Sequence, residues 1–463
     1  MARIFGTDGV RGLANIAPMS PEVVMALGRA AVHVLAPSSS EVKPSLIVGC
    51  DTRLSSPMFE AALTAGICSA GADVLNVGIL PTAGVAYLVR HIGAAIGGVV
   101  ISASHNSYID NGIKFFSATG TKLEDRLEEE LEAHISSVDV GTPPTGEAIG
   151  RPSLYEDGAG LYIDFLKQIF HYETPIEMRI GLDCANGAAS AVAPALFRQL
   201  GGKVRVWHAA PDGVNINRQC GAVYPAFLQQ KVLEEKLDIG FAFDGDADRL
   251  IAIDHTGRIL DGDHILAVCA QALLEEDPAS QRIIVSTVMA NLGLEQALRQ
   301  IGFELYRTPV GDKYVVEGMQ QTGARLGGEQ SGHIVFLNHH TTGDGLLTAV
   351  QLLNVVAARQ LPLAALAQIL HKFPQILLNI KIRERRDPLE IPQVRQVVEE
   401  AENSLGHEGR VVVRLSGTES VARVMVEGPA ENLIESLAHC IGQAITRALD
   451  GSAYDESPTL AKE

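Results

Sequence analysis

The stretch Gly97–Asn106, Gly-Gly-Val-Val-Ile-Ser-Ala-Ser-His-Asn, has the pattern of a buried strand that ends in a polar turn. Its first half contains three consecutive β-branched residues, which suit a pleated core strand. Its second half offers hydroxyls, an imidazole and an amide at the carboxyl end of the strand, the edge at which open α/β sheets bind ligands. A hydroxyl beside an imidazole can also form an activated nucleophile. Taken alone, the stretch fits a capped structural turn at least as well.

A strand–helix–strand–helix–strand order recurs three times along the chain, and each third strand ends in a loop rich in polar residues. The three loops are Ser102–Asn106, Asp244–Arg249 and Gly327–His333. Strands that alternate with helices predict a parallel or mixed sheet with helices on both faces. We therefore predict an α/β fold of three related β-α-β-α-β domains with mixed sheets, whose loops face one cleft, followed by a smaller C-terminal α+β domain.

The predicted domain boundaries follow from this repeat. The units are residues 1–155, 156–257, 258–371 and 372–450, followed by a polar tail at residues 451–463. The tail is predicted to be disordered, because it lacks an apolar pattern. A hinge is predicted near Lys372–Pro374, so that the fourth domain closes over the cleft and excludes water.

Composition excludes several classes of protein. A chain of 463 residues is too long for one core. The formal charge of −18 argues against non-specific binding of nucleic acid, which needs a basic surface. No signal region or membrane-spanning run is evident, and six scattered cysteines without a Cys-x-x-Cys indicate a reduced, cytoplasmic setting. We expect a small-molecule substrate, no nucleic-acid or membrane partner, and leave a homodimer open.

The loop Asp-Gly-Asp-Ala-Asp-Arg carries three carboxylates on a tight turn, namely Asp244, Asp246 and Asp248. Carboxylates at this spacing repel one another unless a cation is present, and Mg²⁺ is the hard ion that commonly accompanies phosphoryl groups. Arg249 would then hold a phosphate oxygen. Arg11 and Lys114 supply two further cations for a doubly charged ligand. An acidic surface turn is the alternative, which the apolar strand before the loop disfavours.

Two further loops favour binding of a phosphate and of a sugar. The first loop offers guanidinium groups, hydroxyl groups and a glycine, a combination that fits an anion-binding site. Its residues are Arg414, Ser416, Gly417, Thr418 and Arg423. The second comprises Glu329, Ser331 and His333, which could hydrogen-bond vicinal sugar hydroxyls. An ordinary strand turn remains the alternative for both. The neighbouring pair His339 and His340 is interpreted as solvated loop residues.

Five motifs occur in a fixed order: Phe-Gly-Thr-Asp-Gly-Val-Arg-Gly, Ser-Ala-Ser-His-Asn, Asp-Gly-Asp-Ala-Asp-Arg, Gly-Glu-Gln-Ser-Gly-His and Arg-Leu-Ser-Gly-Thr-Glu. Together they resemble the α-D-phosphohexomutase superfamily over nearly the whole chain, to about Leu449. The first two favour its glucosamine branch over the phosphomannomutases and phosphoglucomutases. The resemblance implies a heart-shaped, four-domain isomerase with a central cleft. It also implies interconversion of glucosamine 6-phosphate and glucosamine 1-phosphate through a bisphosphorylated sugar, on the route to UDP-N-acetylglucosamine.

The resemblance also assigns residues. It implies that Ser104 is the phosphorylated serine, whereas the chemistry of the sequence alone left Ser102 and Ser107 open as well. One Mg²⁺ would be bound by the phosphorylated Ser104 together with Asp244, Asp246 and Asp248. The transferring phosphoryl group would be surrounded by Arg11, His105, Lys114 and Arg249. The sugar would be held by Glu329, Ser331 and His333, and the non-reacting phosphate by Arg414, Ser416, Gly417, Thr418 and Arg423.

The chain departs from the family pattern at two positions. Ser107 and Ser420 stand where the family usually has proline, and both changes remove a fixed φ. We expect slightly looser loops and intact chemistry. The alternative functions are a phosphomannomutase or phosphoglucomutase on the same scaffold, an Mg²⁺-dependent phosphatase with Asp244 as nucleophile, and a sugar-phosphate sensor without turnover.

Overall fold

The structure is a computed structural model that describes residues 4–6, 8–36, 43–136, 142–172, 176–276, 281–416, 420–449 and 452–456. The described strands form four sheets. Successive parts of the chain contribute one sheet each, so the architecture is α/β with three mixed sheets and a smaller C-terminal sheet domain, as the repeat predicts.

The first sheet contains β1 (Phe5–Gly6), β2 (Gly9–Leu13), β3 (Ser45–Cys50), β4 (Asp73–Ile79), β5 (Ala95–Ile101), β6 (Asp110–Ser117) and β7 (Pro152–Leu154). Their spatial order is β1-β2-β6-β5-β3-β4-β7. The helices in this part of the chain are α1 (Pro21–Leu35), α2 (Ser56–Ser69), α3 (Thr82–Ile92) and α4 (Asp125–Ser136). Helix α1 begins at Pro21, because the Ser20 side chain caps it and proline is well suited to the first helical position.

The second sheet contains β8 (Arg179–Asp183), β9 (Lys203–Trp207), β10 (Ile239–Phe243), β11 (Leu250–Asp254) and β12 (Ile259–Leu260). Their spatial order is β12-β11-β10-β8-β9. The helices here are α5 (Gly158–Ile169), α6 (Ala189–Gln199) and α7 (Ala226–Glu234).

The third sheet contains β13 (Ile283–Thr287), β14 (Glu304–Thr308), β15 (Leu326–Gly328) and β16 (Ile334–Phe336), in the order β14-β13-β15-β16. The helices here are α8 (Gly262–Glu276), α9 (Leu292–Gln300), α10 (Asp312–Thr322), α11 (Gly345–Arg359) and α12 (Leu363–Leu366). The fourth sheet contains β17 (Gln375–Lys381), β18 (Arg410–Leu415), β19 (Val421–Glu427) and β20 (Ser452–Glu456), with α13 (Pro392–Leu405) and α14 (Glu431–Ala448).

The first three sheets share one local device. In each, a parallel strand runs into a polar loop and the chain returns as an antiparallel neighbour: β5 to β6, β10 to β11 and β15 to β16. The sequence analysis found the three loops but did not predict the three returning strands. Each loop therefore starts at the carboxyl end of a parallel strand, where ligands bind in open α/β sheets.

The hydrophobic cores fix the relative positions of the three loops. One continuous core includes buried residues from all of the first three units, among them Val100, Phe243 and Leu326, which lie close to the three loops. The fourth sheet packs on a core of its own, built from residues between Leu378 and Leu449. Its polar contacts with the third unit include a hydrogen bond from the Leu292 amide to the Glu427 carboxylate.

The expectation of a disordered tail at residues 451–463 was wrong for Ser452–Glu456. These residues form β20, which pairs antiparallel with β17 at the edge of the fourth sheet. The pairing satisfies backbone groups of an edge strand, an effect that the polar composition does not reveal. The other tail residues lie outside the described residues.

Within the described ranges, no single helix has both the length and the apolarity to cross a membrane. One pair of helices, Gly345–Arg359 and Leu363–Ile369, reaches the required length and composition only when taken together, and the two are bent by 91°.

Candidate active site

Ser104 lies at the point where the first two sheets meet. Its side chain is 2 % exposed, and its hydroxyl donates a hydrogen bond of 2.7 Å to Asp244 Oδ2 on the second polar loop. His105 Nδ1 lies 3.3 Å from the same hydroxyl. The other two candidate serines are placed differently: Ser102 donates to Asp51 Oδ2 at 2.6 Å, and Ser107 is exposed. Only Ser104 of the three faces the acidic loop.

The backbone at Ser104 adopts a left-handed conformation, with φ of 50°. A non-glycine residue in this region is uncommon and strained, so the surrounding structure must hold it. Part of the support is local, because the Ser104 amide donates to Ser102 Oγ at 2.9 Å. Ser102 is itself fixed by the buried Asp51 carboxylate.

Arg53 provides the main support for the serine loop. It is 2 % exposed, and its guanidinium donates to four backbone carbonyls, those of Ser104, Asn106, Ser107 and Asp110. Its Nε lies 2.8 Å from Asp51 Oδ2, which balances the buried charge. Asn217, from the second unit, donates to the carbonyls of Ser104 and Asn106 at 2.8 and 2.9 Å. The sequence analysis identified none of Arg53, Asp51 and Asn217.

The three predicted carboxylates lie together and face the serine. Asp244, Asp246 and Asp248 are all buried, with one oxygen of each within 4.8 Å of the others. Asp246 Oδ1 and Asp248 Oδ1 are buried and make no hydrogen bond within the described part of the chain. Buried carboxylate oxygens without a donor are costly, and a hard divalent cation would satisfy them. The residues therefore fit an Mg²⁺ ion.

The carboxylates affect one another's protonation. Burial, together with the neighbouring Asp248 and Asp246, raises the pKa of Asp244 well above its usual range. Burial acts the same way on Asp248, but the Lys114 ammonium and His333 outweigh it and hold the pKa of Asp248 well below its usual value. A concentrated negative charge of this kind is what a bound cation would neutralise.

Two of the predicted cations lie beside the acidic loop, and a third lies beside the serine loop. Lys114 is 2 % exposed, and its Nζ lies 3.0 Å from Asp246 Oδ2 and 3.5 Å from Asp248 Oδ2. Although burial opposes its charge, these carboxylates raise the pKa of Lys114 well above its ordinary value. Arg249 lies beside Asp248, with Nε 3.9 Å from Oδ1. Arg11 donates to the Ala103 carbonyl at 2.9 Å, one residue before the serine.

His105 is the last of the four residues predicted to surround the phosphoryl group on Ser104. Burial, followed by the charge of Arg249, lowers the pKa of His105 to about 4. The imidazole is therefore neutral at pH 7.

The third polar loop brings His333 to the same place, with Nδ1 3.6 Å from Asp248 Oδ2 and Nε2 3.7 Å from Asp312 Oδ2. Burial disfavours the imidazolium, but these two carboxylates raise the pKa of His333. Glu329 accepts a hydrogen bond from the Gly311 amide, and Ser331 is exposed at the turn of the loop. The three loops thus converge, as the repeat predicts.

The predicted phosphate cluster of the fourth domain is separate from this convergence. Arg414 and Arg423 face each other across β18 and β19 in direct register. Burial and the Arg423 charge lower the pKa of Arg414, an arrangement that an anion would relieve. Ser416 is buried, and Arg385, which the sequence analysis did not identify, donates to its carbonyl at 3.2 Å. Gly417 and Thr418 lie outside the described residues.

Two other groups near the acidic loop also escaped the sequence analysis. Thr82 donates to Asp246 Oδ2 at 2.6 Å from the first turn of α3, and so fixes that carboxylate from the first unit. Asp8 lies between Lys114 and Lys122, 3.1 Å from Lys114 Nζ and 2.5 Å from Lys122 Nζ. The motif Gly-Thr-Asp-Gly contained the only sequence signal for Asp8, because it placed a charged residue on a glycine-rich loop.

The four-domain arrangement of the chain matches known proteins. Four phosphoglucomutase/phosphomannomutase domain profiles match in order: α/β/α domain I at residues 2–141, α/β/α domain II at 161–257, α/β/α domain III at 261–373 and the C-terminal domain at 377–442. The chain belongs to the phosphoglucomutase/phosphomannomutase family. It is therefore an isomerase of that family, and the α-D-phosphohexomutase resemblance found in the motifs is confirmed.

Its relatives place it in one branch of these mutases. The chain is 48 % identical over 430 residues to a phosphoglucosamine mutase of Pelobacter propionicus, covering 92 % of this chain and 94 % of that protein. It is 46 % identical to a phosphoglucosamine mutase of Desulforamulus reducens, and the match covers 96 % of this chain and 100 % of that protein. The fold also matches a crystal structure of a phosphoglucomutase/phosphomannomutase family protein from Burkholderia thailandensis, with a TM-score of 0.80 and 25 % identity. This match covers 98 % of this chain and 99 % of that chain. The chain is thus a mutase of the phosphoglucosamine mutase branch.

Proposed function

We propose that this mutase interconverts glucosamine 6-phosphate and glucosamine 1-phosphate, with Ser104 as the residue that carries the phosphoryl group. One observation supports the choice of serine above all others. The buried Ser104 hydroxyl contacts Asp244, on the loop of three aspartates, at 2.7 Å, whereas Ser102 donates to Asp51 and Ser107 is exposed.

Mg²⁺ would be held by Asp244, Asp246 and Asp248, with an oxygen of the phosphorylated Ser104 as a further ligand. When bound, it would neutralise charge on the phosphoryl oxygens, which is the main requirement of phosphoryl transfer. The cations Lys114, Arg249 and Arg11 neutralise the remainder.

The reaction requires two transfers at one serine. The sugar O1 hydroxyl attacks the phosphorus of phosphorylated Ser104, so that a new O1–P bond forms while the Ser104 Oγ–P bond breaks. In the net step the O1 proton is lost and Ser104 Oγ regains a proton. The resulting bisphosphate reverses its orientation. Ser104 Oγ then attacks the phosphorus of the 6-phosphate, so that the Oγ–P bond forms again while the O6–P bond breaks. His105, next to the hydroxyl, and His333, on the third loop, complete the polar surroundings of the transferring group.

Two other sets of residues would hold the parts of the substrate that do not react. Glu329, Ser331 and His333 would hydrogen-bond the sugar hydroxyls, since they lie on the loop that meets Asp248. The distant phosphate would bind Arg414, Ser416, Gly417, Thr418 and Arg423 on the fourth domain, after closure near Lys372–Pro374. Two phosphate sites on different domains fit a bisphosphate that must turn between them.

The preference for glucosamine over glucose or mannose is supported by the names of the nearly full-length relatives. A phosphoglucomutase or phosphomannomutase activity is the second candidate, because the family profiles include it. Steady-state kcat/KM with glucosamine 1-phosphate, glucose 1-phosphate and mannose 1-phosphate would decide. Higher kcat/KM with glucose or mannose 1-phosphate would contradict the proposed substrate.

The nucleophile is tested independently by intact mass measurement and peptide mapping of the purified protein. We expect a single phosphate on Ser104. Phosphate found only on Ser102 or Ser107 would refute the assignment, and would leave the substrate question untouched.

We also propose that this enzyme works in a reducing, cytoplasmic setting on a small sugar phosphate. All six cysteines are free thiols, and four of them are buried. Mass measurement under non-reducing conditions should show six free thiols.

A further inference from the structure

A second cluster of metal-binding side chains lies in the second unit, apart from the three aspartates. It consists of Asp183, His208 and Cys220, and one ligand atom of each lies within 4.8 Å of the others. Asp183 ends β8, and His208 follows β9, whose last residue pairs with Asp183. Cys220 comes from the loop that leads to α7. Three separate segments therefore bring an oxygen, a nitrogen and a sulfur to one place.

The buried carboxylate in this cluster points to a missing ligand. Asp183 is 0 % exposed, and its Oδ2 makes no hydrogen bond within the described part of the chain. The same oxygen lies 3.0 Å from His208 Nδ1, and this nitrogen atom is also buried and makes no hydrogen bond among the residues that the structure describes. The contact has the separation of an ion pair but not the angle of a hydrogen bond. A cation bound to both atoms would resolve this, because it attracts two lone pairs at once.

The spacing suits a small transition-metal ion. With Zn–O and Zn–N bonds of about 2.1 Å, two ligands of a tetrahedral ion lie about 3.4 Å apart. The Asp183–His208 separation of 3.0 Å is close to this edge. The two pairs that include Cys220 lie within 4.8 Å, and a Zn–S bond of about 2.3 Å would bring them to about 3.6 Å. A quarter of the His208 side chain is exposed, which leaves access for the ion and for a fourth, water ligand.

We propose that Asp183, His208 and Cys220 form a site for a borderline divalent transition metal, such as Zn²⁺ or Co²⁺. The ligand set separates it from the aspartate site: sulfur and imidazole favour these ions, whereas an all-oxygen set favours Mg²⁺. Binding would form a metal–sulfur bond and release the thiol proton to solvent.

The site is connected to the serine loop. The segment between His208 and Cys220 carries Asn217, whose side chain donates to the carbonyls of Ser104 and Asn106. An ion that joins both ends of this segment would hold Asn217 in place. The metal would therefore act as a structural clamp beside the active site and not as a participant in the reaction.

Co²⁺ is the appropriate probe, because a thiolate ligand gives it a charge-transfer absorption in the near ultraviolet that carboxylates cannot produce. The full chain is titrated with Co²⁺ in the presence of excess Mg²⁺, which fills the aspartate site. We expect the absorption to reach its maximum at one equivalent of Co²⁺ and to disappear when Zn²⁺ displaces the Co²⁺. No thiolate absorption in the wild-type protein would refute the site without any variant.

Variants then test the ligands. His208→Gln changes a partly exposed side chain and should fold, and it should weaken Co²⁺ binding by at least about 100-fold. Cys220→Ala should abolish the thiolate absorption. The control Cys440→Ser removes an exposed thiol and should leave the titration unchanged. An absorption that persists in Cys220→Ala, or that disappears in Cys440→Ser, would overturn the assignment.

Discussion

Ser104 Oγ lies 2.7 Å from Asp244 Oδ2, and this hydrogen bond joins the carboxyl end of β5 in the first sheet to the carboxyl end of β10 in the second. The contact places a hydroxyl against a buried carboxylate that belongs to a cluster of three. A serine in that position can be phosphorylated only if cations accompany the phosphate, and Lys114 and Arg249 lie beside the same carboxylates.

Replacement of this hydroxyl should stop turnover. We expect Ser104→Ala to lose at least about 10³-fold in kcat, because no other described serine reaches the acidic loop. The matched control is Ser107→Ala, an exposed serine three residues away, which should stay within about twofold of wild type. Coupled steady-state assays measure both. Full activity of Ser104→Ala would favour the phosphatase mechanism with Asp244 as nucleophile.

The support of the serine loop should depend on the shape of Arg53. Arg53→Lys keeps the charge but cannot donate to four carbonyls at once, so the left-handed backbone at Ser104 would lose its main restraint. We expect kcat to fall about 10- to 100-fold with a smaller change in KM, and stability to fall by about 2 kcal/mol. Kinetics and urea unfolding provide the two measurements.

The control for that substitution is Arg126→Lys, which alters an exposed ion pair with Glu130 and should change neither quantity. An Arg53→Lys enzyme with wild-type kcat would show that the loop is held by Asn217 and Ser102 alone. Arg53 also holds the loop at Ser107, because its guanidinium donates to the Ser107 carbonyl.

The sequence revealed those parts of the fold and site that have local signals. Apolar strands followed by polar loops indicated where β5, β10 and β15 end, and the aspartate spacing indicated the metal site. Arg53 had no such signal, because the four backbone carbonyls that it holds lie 51 to 57 residues away in the sequence. The returning strands were missed for a related reason: a short segment such as Ile334–Phe336 becomes a strand only because β15 lies beside it.

His340 is a residue for which the local sequence gave a wrong prediction. We expected a solvated loop histidine, and this was wrong: the side chain is 0 % exposed. It packs edge-on against Phe165, with ring centroids 5.8 Å apart. Phe165 belongs to α5, which is distant in sequence, so the residues near His340 in the sequence do not reveal its burial.

The aspartate site should respond to Mg²⁺ in stability as well as in activity. Binding relieves repulsion among three buried carboxylates, so Mg²⁺ should raise the Tm of the wild type, and a chelator should abolish turnover reversibly. Asp246→Asn should lose most of the Tm response. Asp164→Asn, which removes an exposed carboxylate, should retain it. Scanning calorimetry with and without Mg²⁺ makes the comparison, and an equal response in both variants would contradict the site.

The buried His340 should make the fold sensitive to acid. Burial, and then the charge of Arg90, lowers the pKa of His340 to about 3. Its Nδ1 accepts a hydrogen bond of 2.9 Å from the Thr341 amide, and protonation would destroy that bond. In the unfolded chain histidine has a pKa of about 6.5, so below that pH the unfolded state takes up a proton that the native state refuses. Stability is therefore complete above about pH 6.5 and declines as the pH falls toward 3, by at most about 1.4 kcal/mol per pH unit.

The substitution His340→Gln should remove this dependence. The variant loses stability at pH 7.5, because the packing around the ring is disturbed, but the difference from wild type should shrink as the pH falls to 5. Urea unfolding at several pH values measures the difference. The control His255→Gln changes an exposed histidine and should give curves parallel to wild type. A difference between His340→Gln and wild type that stays constant from pH 7.5 to 5 would show that His340 is protonated as readily in the native state as in the unfolded chain.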